Sequence, residues 1–129
     1  MEKILSVSIA SYNVEKFIRK ALDSCCVPEI MDRLEVLIVN DGSTDLSGSI
    51  LARYAARDGR IVVINKPNSG YGASMNCGLD KARGEYIGIL ESDDIAAPDM
   101  FKSLYRYAHR RHLDIVKSNY FEHDDEGDT

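Results

Sequence analysis

The strongest constraint on the fold is the alternation of short apolar runs with amphipathic helical patterns. Apolar runs rich in β-branched residues cover residues 4–10, 34–39, 61–64 and 85–90. Helical patterns follow them, beginning near Val14, Asp45, Gly72 and Pro98. Because strand and helix alternate along the whole chain, the pattern predicts a mostly parallel sheet with helices on both faces, a three-layer α/β/α fold.

The rest of the pattern fits one folding unit. With 129 residues, the chain is long enough for a single core, and no repeat or linker divides residues 1–129. The third helix is expected to turn Met75, Leu79 and Ala82 inward. A fifth strand is predicted at residues 114–121, followed by a polar tail at 123–129.

Charge and hydropathy exclude some partners. The net charge of −5 argues against nucleic-acid binding, which needs a basic face, but allows a nucleotide held through a metal and backbone amides. The apolar runs are too short for a membrane span, and the N-terminus has no signal-peptide core, so a cytoplasmic protein is expected. The cysteines, Cys25, Cys26 and Cys77, are interpreted as reduced packing residues.

An acidic turn follows the fourth predicted strand. Glu91, Asp93 and Asp94 stand within four residues, and neighbouring carboxylates repel one another unless a cation holds them together. A solvated turn that caps the next helix explains the string about equally well on its own. The position after a buried strand, where open α/β sheets bind ligands, favours a hard divalent metal.

Further polar loops should meet this turn. In a parallel sheet, residues 8–13, 40–45 and 91–94 converge at one edge. The sequence lacks G-x-G-x-x-G after the first strand and lacks a P-loop, so a metal on the aspartates would bind phosphate oxygens. For Asp41, the residues leave two roles open: accepting an N–H from a base such as uracil, or shaping its own turn.

Five motifs together resemble the family 2 glycosyltransferases of the GT-A fold. They are VSIASYN with Glu15, VNDGSTD from residue 39, NSG from residue 68 through NCG from residue 76, GEYI from residue 84, and LESDD from residue 90. Their order and spacing match the family from residue 4 to about residue 113. The resemblance identifies residues 1–129 as the nucleotide-sugar-binding domain of such an enzyme.

The resemblance also implies chemistry. It implies an inverting transferase that uses a nucleotide-diphosphate sugar, often UDP-linked, with Mg or Mn. The acceptor would be a saccharide or a lipid-linked molecule in polysaccharide biosynthesis, and the full-length protein would associate peripherally with the inner face of a membrane. The site residues carried over by the motifs are Ala10, Ser11, Tyr12, Asn13, Glu15, Asp41, Asn68, Gly70, Asn76 and Asp93 for the substrate, and Asp93 with Asp94 for the metal.

The chain departs from the family pattern in three ways. Glu91 stands where an aspartate is usual, and its longer side chain is not expected to bind the metal directly. Met75 replaces an arginine near the phosphates, with Lys66 or Lys81 as substitutes. The acceptor half and the general base, which inverting displacement requires, are expected beyond residue 129.

Other interpretations compete with a transferase. A non-catalytic nucleotide-binding module of the same fold would keep the motifs without the chemistry. A flavodoxin-like phospho-acceptor domain would need acids after the first strand, and that loop offers only Glu15. His109 and His112 lie three residues apart on a basic helix end, where a solvated face or a contact with anionic lipid is favoured over zinc.

Overall fold

A four-stranded parallel sheet forms the centre of the molecule, with the strand order β3-β2-β1-β4. The computed structural model describes residues 5–25, 34–93, 95–96, 100–111, 123–124 and 127–128. The strands are β1 (Leu5–Ser11), β2 (Leu34–Asp41), β3 (Ile61–Lys66) and β4 (Tyr86–Ile89). The helices are α1 (Ile18–Cys25), α2 (Ser47–Arg57), α3 (Tyr71–Lys81) and α4 (Met100–Arg111). The predicted α/β architecture is confirmed.

The C-terminal residues are described only in part. Strands β5 (His123–Asp124) and β6 (Gly127–Asp128) pair antiparallel where a polar tail was predicted. The strand predicted at residues 114–121 lies outside the described residues.

The two faces of the sheet bury different side chains because successive residues of a strand point to opposite faces. One face carries the main apolar core, in which the strands pack against α1 and α2. Its members include Val7, Ile9, Val36, Ile38, Ile18, Leu22, Ile50 and Leu51. Helix α3 packs on the opposite face, so the three-layer arrangement is present.

Helix α3 lies unusually close to the sheet. A Cβ added at Gly78 would come within 2.2 Å of the Ser8 hydroxyl oxygen. Gly78 and Ser74 are the residues of this helix that are buried, whereas Leu79 is 44% exposed. The expectation that Leu79 points inward is therefore wrong, since close packing selects the small residues for the contact face.

A buried acid anchors the amino end of β2. The Glu35 carboxylate accepts hydrogen bonds from the Ser6 hydroxyl (2.8 Å), the Arg83 backbone N–H (3.0 Å) and Arg83 Nε (2.7 Å). The Gly84 N–H donates to the Ser6 oxygen at 2.8 Å. Burial alone would raise the pKa of Glu35, but the bonds from Arg83 and Ser6 outweigh it and lower the pKa. The segment between α3 and β4 is thereby tied to the core.

Helix α4 ends in a basic surface. Arg106, Arg110 and Arg111 are exposed, and His109 Nδ1 lies 3.1 Å from Glu85 Oε1. His112 lies outside the described residues, so the zinc interpretation of the histidine pair has no structural test. No helix among the described segments is long and apolar enough to cross a membrane.

Candidate nucleotide-sugar site

Most of the predicted site residues that the structure describes lie on loops at the carboxyl edge of the sheet. Strand β1 lies between β2 and β4, and both pairings are parallel. The loops after these three strands therefore leave the sheet on the same side, as predicted. The loop between β3 and α3 joins them there, because β3 runs parallel to β2.

Asp41 is the most strongly held acid at this edge. Its Oδ1 accepts hydrogen bonds from Lys66 Nζ (2.5 Å) and the Ser69 N–H (2.9 Å), and its Oδ2 accepts one from the Gly70 N–H (2.9 Å). Lys66, followed by the two backbone amides, lowers the pKa of this buried carboxyl. Asp41 is therefore ionised at neutral pH and fixes the loop before α3.

These contacts refine the two roles that the sequence left open for Asp41. The carboxylate shapes the following loop, at residues 66–70, and not its own turn. A carboxylate oxygen accepts about two hydrogen bonds, so Oδ1 has its full set from the protein. Among the described contacts, Oδ2 has a single protein donor and keeps an acceptor position that a ligand N–H would fit.

The loop before α3 packs through Asn68 against the turn at Gly42. Asn68 Nδ2 donates to the Asp41 carbonyl oxygen at 3.0 Å, and a Cβ at Gly42 would come within 2.7 Å of the Asn68 nitrogen. Gly70 has φ of 100°, a conformation that favours glycine, and it is the N-cap residue of α3. Asn68 and Gly70 are exposed at this edge. Asn76 is also exposed, but it lies in the second turn of α3.

Asn13 joins the loops that follow β1 and β2. It has φ of 52°, and its amide oxygen accepts hydrogen bonds from the N–H groups of Thr44 (2.7 Å) and Asp45 (3.3 Å). Its own N–H donates to the Ser43 hydroxyl oxygen at 3.1 Å. The side chain thus satisfies backbone donors of the loop between β2 and α2. In this structure Asn13 binds the neighbouring loop.

The other predicted residues of the β1–α1 loop differ in exposure. Ser11 is buried and its hydroxyl donates to the Val39 carbonyl oxygen at 3.2 Å. Ala10 and Glu15 are partly buried, and the Glu15 N–H donates to Asp45 Oδ2 at 3.3 Å. Tyr12, the first residue after β1, is 48% exposed at this edge.

The acidic turn follows the buried Leu90. Glu91 and Asp93 are exposed, and the Tyr71 hydroxyl donates to Glu91 Oε1 at 2.6 Å. This bond to Glu91 is the main cause that raises the pKa of Tyr71. Asp94, the second predicted metal ligand, lies outside the described residues.

The oxygen atoms of the described acidic residues are suitable ligands for a hard cation, but they do not form a complete metal site. Among the residues that the structure describes, no three His, Cys, Asp or Glu side chains form a group that could hold a metal ion. The exposed carboxylate of Asp93 supplies oxygen ligands of the type that Mg²⁺ and Mn²⁺ prefer.

Neither lysine that was proposed to substitute for the arginine that Met75 replaces lies unbound beside the acidic turn. Lys66 is bound to Asp41, to the Pro67 carbonyl and to the Ser69 hydroxyl. Lys81 lies in the last turn of α3, at the opposite end of that helix from Gly70. Tyr71, which the sequence did not single out as a site residue, lies at the correct end.

Comparison with known proteins assigns the family. The model of glycosyl transferase family 2 matches residues 6–129, so the chain belongs to that family. It is 40% identical over 121 residues to the uncharacterized glycosyltransferase EpsJ of Bacillus subtilis, covering 94% of this chain and 35% of EpsJ. It is 42% identical over 126 residues to the putative glycosyltransferase EpsH of the same organism, covering 97% of this chain and 36% of EpsH.

A solved structure supports the same assignment. Residues 1–349 of S. aureus TarS, in complex with UDP-GlcNAc, superpose with a TM-score of 0.75 and 30% sequence identity. The match covers 84% of this chain and 32% of that chain. The predicted GT-A fold is confirmed, and the chain spans about a third of the length of the relatives it matches.

Proposed function

We propose that this chain is the donor-binding domain of an inverting glycosyltransferase that uses a nucleotide-diphosphate sugar, with UDP as the nucleotide. Membership of the family and the likeness to TarS bound to UDP-GlcNAc support a nucleotide-sugar ligand. The acceptor in this proposal is a saccharide or a lipid-linked molecule of polysaccharide biosynthesis. The family assignment favours this function over the phospho-acceptor domain.

The observation that carries the proposal is the state of Asp41. Three protein donors keep its carboxylate ionised and oriented, and Oδ2, with one donor among the described contacts, has one acceptor position left. A pyrimidine with one ring N–H, such as uracil, matches that single position. Tyr12, exposed on the neighbouring loop, would cover the base or the ribose, while Asn13 and Glu15 hold that loop in place.

The diphosphate would lie toward β4. Asp93 and Asp94 would bind Mg²⁺ or Mn²⁺ together with phosphate oxygens. When bound, the metal would neutralise charge on the departing diphosphate. The exposed position of Asp93 leaves its carboxylate accessible to such a complex.

Transfer needs a carboxylate base that deprotonates the acceptor hydroxyl on the face opposite the leaving group. In our proposal this base lies in sequence beyond residue 129, because the relatives are about three times as long as this chain. Residues 1–129 alone are then expected to bind the donor and to transfer sugar weakly or not at all. The basic end of α4 would face the anionic inner surface of a membrane, where lipid-linked acceptors reside.

Isothermal titration with UDP, with and without MnCl₂, tests donor binding. We expect the wild-type chain to bind UDP more tightly with Mn²⁺, and Asp93→Ala to weaken the Mn²⁺-dependent binding at least about tenfold, as expected for removal of a charged ligand. Asp80→Ala, at an exposed acid of α3, is the matched control and should bind like the wild type. Failure of every nucleoside diphosphate to bind in a metal-dependent way would refute the proposal.

A non-catalytic module of the same fold is the second candidate. The observation in its favour is that Glu91, at the position of the usual aspartate, is engaged by Tyr71. Hydrolysis of UDP-sugar by the full-length protein separates the two candidates. Turnover that Asp93→Ala abolishes supports the enzyme, whereas tight binding without turnover supports the module.

A further inference from the structure

The Tyr71–Glu91 hydrogen bond connects two parts of the candidate site. Tyr71 directly follows Gly70, whose N–H is bound to Asp41, and it begins α3. Glu91 lies at the start of the acidic turn, two residues before Asp93. The 2.6 Å bond between Tyr71 Oη and Glu91 Oε1 therefore joins the loop that Asp41 holds to the turn that carries the predicted metal ligand.

The length of the glutamate matters for this contact. Both side chains are exposed, and Tyr71 is 55% exposed, so burial does not force them together. The extra methylene of glutamate lets the carboxylate extend from the end of β4 to the first residue of α3. An aspartate at position 91 would fall short of the tyrosine hydroxyl by about the length of one C–C bond, roughly 1.5 Å.

The bond fixes what kind of ligand group the pair can bind. A tyrosine hydroxyl has one proton, and here that proton is donated to Glu91. What remains on the pair is acceptor capacity only, on the phenol oxygen and on both carboxylate oxygens. Such a pair suits ligand hydroxyl groups, and it offers no donor to a phosphate.

We propose that Tyr71 is a positioning residue for donor binding, holding Glu91 so that its carboxylate accepts hydrogen bonds from sugar hydroxyls and leaves metal ligation to Asp93. This inference rests on the proposed function. The hydroxyls belong either to the ribose of the nucleotide or to the transferred hexose. Both present the same chemistry, and the choice of ligand in the experiment distinguishes them.

The first experiment tests the bond in the free protein. With tyrosines labelled at the ring carbon that bears oxygen, NMR titration should give Tyr71 a pKa above the ordinary value, because the bond to Glu91 favours the protonated phenol. Glu91→Gln should move that pKa toward the ordinary value. An unchanged Tyr71 titration in Glu91→Gln would overturn the inference without reference to any ligand.

The second experiment tests the role of the bond by calorimetry at saturating Mn²⁺. Tyr71→Phe and Glu91→Gln should each weaken binding about fivefold, the size of one hydrogen bond, and the double variant should be no weaker than Glu91→Gln. If the ribose is the ligand, the loss is seen with UDP and disappears with 2′,3′-dideoxy-UDP. If the hexose is the ligand, the loss is seen with UDP-GlcNAc and not with UDP.

Metal dependence gives the decisive contrast. The concentration of Mn²⁺ that half-saturates UDP binding should be unchanged in Tyr71→Phe and Glu91→Gln and should rise at least about tenfold in Asp93→Ala. A rise in Glu91→Gln as large as that in Asp93→Ala would make Glu91 a metal ligand and overturn the inference. Wild-type chain that binds no nucleotide would refute the proposed function as well, whereas wild-type binding with unaffected variants refutes this inference alone.

Discussion

The two ends of β2 each carry a buried carboxylate, and the pair invites comparison. Glu35 near the amino end and Asp41 at the carboxyl end both accept hydrogen bonds from backbone N–H groups and from a cationic side chain. Both have lowered pKa values. Their chemistry is alike, but Glu35 is buried on the α3 face of the sheet against Ser6 and the α3–β4 segment, while Asp41 is bound by an exposed loop.

The comparison suggests that position in the sheet decides the role of a buried carboxylate: Glu35 stabilises the fold, whereas Asp41 lies where a ligand would bind. The Arg83 side chain, which is 65% exposed, pairs with Glu35, and the hydrogen-bond partners described for Glu35, Ser6 and Arg83, are not predicted site residues. At Asp41, the loop after β3 binds the carboxylate and leaves Asn68 exposed, while Tyr12 is exposed on the loop after β1 at the same edge of the sheet. We therefore expect substitutions at Glu35 to lower stability and those at Asp41 to lower ligand affinity.

The largest expected effect is at Glu35. Glu35→Gln places an NH₂ group among the Ser6 and Arg83 donors and removes the charge, so the free energy of unfolding should fall by about 2 kcal/mol. Urea denaturation measures this, with the exposed Asp80→Asn as the control expected within about 0.5 kcal/mol of the wild type. The affinity of the folded protein for UDP should not change; a loss of affinity would break the distinction.

Asp41→Asn should act on binding. The neutral amide loses the ion pair with Lys66. It also has a single acceptor oxygen, so the donors that now share two carboxylate oxygens, the Gly70 N–H among them, compete with the ligand for one. UDP affinity with Mn²⁺ should fall at least about tenfold in calorimetry. Wild-type affinity together with a stability loss like that of Glu35→Gln would reclassify Asp41 as a second anchor.

Asn13→Gly should have a smaller effect. Glycine keeps the positive φ without strain and removes the amide that binds the N–H groups of Thr44 and Asp45, so we expect a loss of about 1 kcal/mol in stability. Asn13→Asp retains an acceptor oxygen and should lose less in the same urea experiment. A large drop in UDP affinity for Asn13→Asp, with stability unchanged, would show that the amide contacts the ligand directly.

The smallest expected effect is on how the free energy of unfolding changes with pH. Because the folded pKa values of Glu35 and Asp41 lie below the ordinary values of 4.5 and 3.8, both stabilise the fold above those values and lose that contribution as the pH falls below them. The wild type should therefore lose stability from about pH 5 downward. Glu35→Gln should lose less over the same interval, which urea unfolding at stepped pH values measures; equal slopes would contradict the role of Glu35.

Much of the fold could be predicted because it follows from local patterns. The strands of the sheet appear as apolar runs, and their parallel order follows from the helices between them. The convergence of Tyr12, Asp41 and Asp93 at one edge follows from the same topology. These inferences need only the period of the pattern and the direction of the strands.

The remaining contacts depend on residues far apart in sequence. Lys66 and Gly70 are more than twenty residues from Asp41 in the sequence, and no local pattern shows that they bind it. Glu35 was missed, although a charge inside an apolar strand was a usable signal for a buried partner. The contact face of α3 was wrong at Leu79 because hydropathy ranks leucine above glycine, while a helix that lies close to a sheet requires glycine.

The contact between Gly78 and Ser8 has a consequence for how the site can vary. Helix α3 begins at Tyr71, and Gly78, two turns later, lies against β1 with no room for a methyl group. A side chain at position 78 would lift the helix and tilt its leading end, moving Tyr71 away from Glu91. Substitutions where α3 contacts β1 would thus change the position of Tyr71 at the site, about 10 Å away along the helix.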